Sequence, residues 1–346
     1  MEFSDLARLN GAFLVHKPQG ISSFGVIERL EKALRAKTGA RRKDLPKMGH
    51  GGTLDPFATG LLVVCVGNGV KLSRYLLGSK KTYSGTLWFG QTTASGDPTN
   101  PITETSPNLP ESQVQLQRMA DEWCTAPYPQ IPPMHSAKKK DGKPLYELAR
   151  QGIEIEREAK ICQLSDFKIL ALDFAKAPFE ITCTSGTYIR VVAHDFGRKV
   201  GSVAMLETLH RLGSGKFRIE NACTLEQFEA ADESWDQLPS YVSFDEMLDG
   251  YPSAVATAEE KLGLIQGKQQ TLIPILTRVG LFPTSAENFR STSAGASVEP
   301  AAEIDDHEIC VMIYESRKLI AVARRTSGPH SATGPSAGWQ IERVFT

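Results

Sequence analysis

Asp55 stands in GHGGTLDPFATGLL, residues 49–62, between Leu54 and Pro56 and just ahead of the apolar run LLVVCV. An aspartate before proline among glycines and threonines is ordinary turn chemistry. The same placement can also hold a reactive carboxylate at the end of a core strand, where loops commonly carry function. A lone carboxylate works as a nucleophile or as a base. As a nucleophile it must stay ionised, and an arginine within reach favours that form and fixes its orientation. Arg190, in SGTYIRVVAHDFG, is a candidate partner because apolar Ile189 and Val191 flank it and favour partial burial; the alternative is a salt bridge that only holds the fold. Tyr83, in KKTYSG, could stack on a nucleobase while Lys80 and Lys81 meet phosphate, or could simply pack in a strand. His50 lies five residues before Asp55 in the same loop, and the glycines there leave little bulk to obstruct a flat substrate.

Other chemistries find no support in the motifs. There is no D-x-D, no H-E-x-x-H and no C-x-x-C, and Cys65, Cys124, Cys162, Cys183, Cys223 and Cys310 lie far apart. Neither a metal site nor a disulfide framework is expected. No Walker loop, G-x-G-x-x-G or G-x-S-x-G occurs, so the candidate is a cofactor-free carboxylate.

The chain has 346 residues, room for a large domain and a small one. A hydrophobic fraction of 41% and a charged fraction of 23% are those of a globular protein. No apolar run reaches membrane-spanning length. MEFSDLARLN carries acids and no apolar core, so no secretory signal is expected and the cytoplasm is the expected compartment. The net charge of −1 hides segregation: residues 35–47 hold six basic residues and one acid. Basic residues also gather at 71–81 and 138–150, while acids gather at 299–308. Such runs can build a local basic field without a high overall pI.

The elements that must position these groups follow from periodicity. AFLVH (12–16) reads as a strand, then Ser22 or Ser23 caps a helix with Val26, Ile27, Leu30 and Leu34 on one stripe. A basic loop runs to Lys47. LLVVCV, KTYSGTLWFG, FKILAL and FEITC read as strands, and residues 111–125, 143–151 and TYIRVVAHDFGRKV as helices. Strands follow one another without a βαβ rhythm, which implies an α+β domain with a mixed, largely antiparallel sheet flanked by helices. Composition shifts near 250. Residues 254–268 read as a helix, VMIYE with KLIAVARR as a β pair, and 284–302 and 325–338 as low-complexity loops. A small β-rich domain over 251–346, after a larger one over 1–250, accounts for this.

Together GHGGTLDPFATGLL, KKTYSG, SGTYIRVVAHDFG, IPPMHSAKKKDGKPLYELARQGI and HKPQGISSF resemble the TruB family, tRNA pseudouridine-55 synthases, over residues 12–220, and FATGLL resembles its bacterial branch. The resemblance implies a pseudouridine-synthase fold with a PUA-like C-terminal domain and no cofactor. It implies that Asp55 is the catalytic aspartate, that Tyr83 stacks on the flipped uracil and takes the C5 proton, and that Arg190 pairs with Asp55. It further implies that Leu209 lines the uracil pocket and that His50 fills the gap left by the flipped base. Asp97 would contact the RNA loop, Lys17 would pack under the site, and residues 126–152 would form an RNA-gripping insertion. The implied partner is tRNA, held by its T-stem-loop and, through the C-terminal domain, by its acceptor end; a monomer is the expected state. The sequence departs from the family at Thr93-Ala94-Ser95, where TDT is usual, at His16, where an acid is usual, and at His135, where another aromatic is usual. Two other readings remain at this level: an RNA-binding folding chaperone, and a glycosidase-type hydrolase, for which a second carboxylate opposite Asp55 would be needed.

Overall fold

The computed structural model describes residues 6, 9–136, 139–140, 143–232, 234–281, 310–315, 318–325 and 339–345. Its contacts divide the chain into two compact units, 1–242 and 243–346.

In the first unit, strand β1 (Gly11–Lys17) leads into helix α1 (Ser23–Thr38). The Ser22 side chain caps α1 by accepting from the Gly25 amide, and Gly39 ends it in the left-handed region, where glycine costs least. The expected stripe Val26, Ile27, Leu30 and Leu34 is buried. The helix runs further than expected: Arg35 and Lys37 occupy its last turn, where cations suit the helix dipole, so the basic loop begins only after Gly39. Next come β2 (Thr59–Val66), β3 (Lys81–Phe89), α2 (Gln113–Cys124), β4 (Leu164–Ile169), β5 (Lys176–Cys183), α3 (Ile189–Lys199) and β6 (Ala204–Ser214).

The strands form one sheet in the order β4-β5-β3-β6-β2-β1, with the short strand Tyr241–Ser243 beyond β1. Pairings β4–β5, β5–β3, β3–β6 and β2–β1 are antiparallel, and β6–β2 is parallel. The sheet is thus mixed and largely antiparallel, as expected, although β6 gave no sequence signal strong enough to be read. One core joins α2 and α3 to the sheet through Leu116, Phe196, Phe89, Phe179 and Leu206. A second joins α1 and the short helix Leu225–Ala230 to β1 and β2 through Leu30, Phe228, Phe13 and Val64. Continuous burial from Gly60 to Val66 explains why β2 reads as an unbroken apolar run rather than an alternating one.

The second unit holds β7 (Ser253–Val255), α4 (Ala258–Ile265), α5 (Leu272–Arg278), β8 (Cys310–Glu315), β9 (Lys318–Arg325) and β10 (Trp339–Val344). Its sheet runs β7-β8-β9-β10, which confirms a small β-rich unit. The expected helix over 254–268 is corrected. Residues 253–255 pair with β8, and α4 starts only where Thr257 and Glu260 form a reciprocal capping box. Of the loops expected over 284–302 and 325–338, Arg325 instead ends β9, and 284–302, 326–338 and the acidic run 299–308 lie outside the described residues.

The parallel β2–β6 contact depends on Gly60. Its φ is +106°, and a Cβ there would lie 2.4 Å from the Arg211 carbonyl oxygen. Gly60→Ala is expected to lower stability by about 2 kcal/mol or more, from strain plus backbone displacement. Gly39→Ala, with open space around it, should cost only about 1 kcal/mol. Urea midpoints for the two variants check the ordering; equal losses would show that the contact with β6 is not the constraint.

Candidate active site

Asp55 lies in the loop that enters β2, and Arg190 is the second residue of α3. The fold brings them together across 135 residues of chain: Arg190 Nε donates to Asp55 Oδ2 at 2.8 Å and Nη2 donates to Oδ1 at 3.0 Å. This bidentate pairing fixes the plane of the carboxylate. The two partners differ in exposure. The arginine side chain is 4% exposed and the aspartate 33%, so the carboxylate is presented outward by a buried cation. Two further arginine donors are used, Nη1 to the Ser95 carbonyl at 2.7 Å and Nη2 to the His135 carbonyl at 2.8 Å.

Those carbonyls explain why two departures from the family pattern are tolerated. The contact at 135 is made by backbone, so it does not require a particular side chain. Thr93 and Ser95 are buried hydroxyls: Thr93 Oγ1 donates to the Asp97 carbonyl at 2.6 Å and Ser95 Oγ to Asp97 Oδ1 at 2.8 Å. Asp97 is buried, accepts from the Thr99 amide, and has its Oδ2 3.7 Å from Arg190 Nε. Arg190 is thus shared between two carboxylates.

Leu209 is buried on β6 in the same apolar cluster as Leu54, Phe57 and Tyr83. These side chains give the site one apolar wall. Tyr83 is buried, and burial raises its phenol pKa above the ordinary value while the neighbouring Arg211 guanidinium opposes that rise. His50 sits on the short strand Met48–His50. Its pKa is lowered by burial and then by Arg211, and its Nδ1 has no hydrogen-bond partner among the described residues. A neutral ring of this kind suits packing more than ion pairing.

Lys17 is fully buried. Its ammonium donates to the carbonyls of Pro18, Ile21 and Pro56, the last at 3.3 Å, and so ties the β1 end to the loop carrying Asp55. Burial lowers its pKa to about 8, with Asp55 opposing. Lys81 corrects an expectation. It does not face solvent for phosphate: it is buried and donates to the carbonyls of Leu76 and Ser79. Burial, then Arg211, lowers its pKa to about 7. The strand alternation puts Lys81 and Tyr83 on the same inward face. The glycines of the motif also act differently from the open-room reading. A Cβ at Gly51 would meet Leu76 and Val63, one at Gly49 would meet Val70, and one at Gly52 would meet Arg211 and Lys81. They permit packing against the protein.

Arg211 is the residue that sequence reading missed. It is 2% exposed on β6, two positions after Leu209 and so on the same strand face. Nε donates to the Leu61 carbonyl at 2.7 Å, Nη1 to Thr53 at 3.4 Å and Nη2 to Gly52 at 3.1 Å. The one available signal was an arginine in the inward register of a strand. His16 and His210 meet edge to face at 5.4 Å, and His210 Nδ1 bonds Thr59 Oγ1 at 2.7 Å. His16 therefore packs on an imidazole at the position where the family has an acid. Among the described residues no cluster of His, Cys, Asp and Glu could hold a metal ion, and no helix is long and apolar enough to cross a membrane.

A mixed sheet that presents an arginine-clamped aspartate beside a buried tyrosine and an apolar wall defines a pseudouridylate-synthase type of site. A family model described as the TruB family pseudouridylate synthase N-terminal domain matches residues 37–189. A tRNA pseudouridine synthase B of Burkholderia lata is 34% identical over 92% of this chain and 88% of its own. One from Psychrobacter arcticus is 33% identical over 87% of this chain and 79% of its own. The chain belongs to the TruB family of pseudouridylate synthases and is an enzyme of that class. Among solved structures, a Cbf5-Nop10-Gar1 complex matches with a TM-score of 0.64 and 18% identity, covering 99% of this chain and 87% of that one, a likeness of fold.

The buried lysines make stability depend on pH. Lys81 has a folded pKa near 7 against 10.5 for the free side chain. Between those values the unfolded chain binds the extra proton, so stability rises with pH, by at most about 1.4 kcal/mol per pH unit. The stability of the native protein relative to Lys81→Met is therefore expected to grow from pH 7 to pH 9 in urea titrations. A difference independent of pH would mean that folding does not lower the Lys81 pKa.

Proposed function

We propose that this enzyme isomerises uridine to pseudouridine at position 55 in the T-loop of tRNA, with Asp55 as the catalytic carboxylate on a flipped-out base. The observation that carries the proposal is the bidentate Asp55–Arg190 pair: a carboxylate held in one orientation, one-third exposed, backed by a buried cation. The names of the relatives, tRNA pseudouridine synthase B, support tRNA as the substrate.

The reaction exchanges the C1′–N1 bond for a C1′–C5 bond. C5 loses a proton and N1 gains one, so the isomer keeps its atoms and nothing is oxidised or reduced. A carboxylate cannot reach the reacting atoms of a stacked base, so the uridine must leave the stack, at a cost of a few kcal/mol that is least in a loop. Asp55 then acts as the nucleophile towards the flipped nucleotide, held in one orientation by Arg190. Leu209 and Leu54 supply the apolar wall against the uracil ring. Tyr83 lies against the base and takes the C5 proton. His50 fills the space that the base vacates, and Lys17 braces the loop from beneath through Pro56. Arg35, Lys43, Lys47, Lys71 and Arg74 are exposed and supply cations for RNA phosphates. The insertion at 126–152 grips the stem-loop, and the C-terminal unit, PUA-like, meets the acceptor end. The enzyme acts as a monomer in the cytoplasm.

Mass spectrometry of unmodified tRNA treated with the protein is expected to show one converted uridine, at position 55. Asp55→Asn should lower conversion by at least about four orders of magnitude while binding of a T-stem-loop RNA stays within about threefold, because the change removes the nucleophile and none of the cations that meet RNA phosphates. Conversion at another position, or near-native activity in the variant, would overturn the assignment. Binding should also weaken steeply with salt, with a slope of log Kd on log salt of about three or more. A flat response would remove the basic runs from the RNA face.

A further inference from the structure

We propose that Arg211 is a positioning residue for this reaction, holding the Asp55 loop and the Tyr83 phenol in one arrangement. The proposal rests on the roles given to Asp55 and Tyr83 above. Three observations lead to it. First, Arg211 uses three donors on carbonyls: Gly52 and Thr53 of the segment leading to Asp55, and Leu61 of β2. The loop is thereby clipped to the strand it precedes, on both sides of Asp55. Gly52 has a φ of +131°, a conformation that side chains rarely adopt, and it sits against the Arg211 Nη1 atom. The arginine thus grips the chain at a backbone conformation that favours glycine.

Second, Arg211 lies directly opposite Tyr83 in the antiparallel β3–β6 pairing. Directly paired residues project to the same face of a sheet, so the guanidinium and the phenol are neighbours. The cation favours the ionised phenol against the opposing effect of burial. Third, the Arg211 donors that are resolved end on carbonyls, not on a carboxylate, so its positive charge is not cancelled by a close ion pair at those contacts. Arg190 is neutralised by Asp55 and Asp97, whereas Arg211 leaves its field on Tyr83. The two arginines divide the work: one orients the carboxylate, the other sets the tyrosine and the loop between them.

The test compares Arg211→Lys, which keeps the charge and loses the fork, with Arg211→Met, which loses both. Arg211→Lys is expected to fold, to bind T-stem-loop RNA within about threefold of native, and to lose about 100-fold in single-turnover conversion at saturating enzyme. The rising limb of its pH–rate profile should move to higher pH by about one unit. Combined with Tyr83→Phe, it should cost less than the product of the two single losses, because both act through one phenol. The ζ-carbon NMR resonance of Tyr83, assigned against Tyr83→Phe, should shift in Arg211→Lys and shift further in Arg211→Met. This last measurement needs no turnover: if the native protein makes no pseudouridine, the functional reading fails while the Arg211–Tyr83 coupling is still read. A native rate and pH profile in Arg211→Lys, an unmoved Tyr83 resonance, or a loss accounted for entirely by weaker binding would overturn the proposal.

Discussion

The pairing of Asp55 with Arg190 is the interaction on which the rest of the structure depends. A charged guanidinium is costly to bury unless all its donors are used, and here two go to Asp55 and others to the Ser95 and His135 carbonyls. This requirement draws together the motif loop, the start of α3, the segment at 93–97 and the base of the insertion. Removing either partner of such a pair commonly costs about 3–5 kcal/mol, because the other charge is stranded. The asymmetry of exposure leaves the carboxylate as the accessible end of the ion pair.

The surrounding architecture holds that loop from beneath. Lys17 grips Pro56 from β1, Arg211 grips Gly52 and Thr53 from β6, and the Ser23 hydroxyl exchanges hydrogen bonds with the backbone of Leu54. Each contact is a side chain satisfying loop backbone that would otherwise be buried without partners. The loop is irregular in conformation yet specified by three separate elements. Buried cations surround the partly exposed carboxylate: Arg211 lowers the pKa of Lys81 further than burial does, whereas at Lys17 the Asp55 carboxylate opposes burial more strongly than Arg211 adds to it. Such a field suits a substrate that arrives with phosphates.

Departures from the family pattern are absorbed where backbone or a retained hydroxyl makes the contact. His135 contributes a carbonyl, and Thr93 and Ser95 keep oxygens next to Asp97. The His16–His210 contact is different in kind, since two imidazole rings meet, and His210 has its pKa lowered by burial and then by His16.

Much of the fold was legible in one dimension. The stripe on α1 and its Ser22 cap, the unbroken apolar run of β2 and the alternation of β3 are local consequences of burial pattern, and they were readable because each element meets a single kind of environment. The motif around Asp55 and the candidacy of Arg190 were also readable, because a carboxylate without metal or cofactor motifs needs a cation. What the chain order could not reveal is contact across the sheet. β6 was missed, and with it Arg211, because its inward positions mix leucine with arginine and only the neighbouring strands show that an arginine there meets carbonyls. Lys81 read as a solvent cation because two adjacent lysines look alike until alternation sends one inward. That Asp97 lies beside Arg190 was likewise not legible along the chain. The sequence by itself determined which groups were available and which local elements would carry them. Tertiary structure alone decided which charges were buried against which partners, because burial and cross-strand neighbours are properties of the packed sheet and of no single segment.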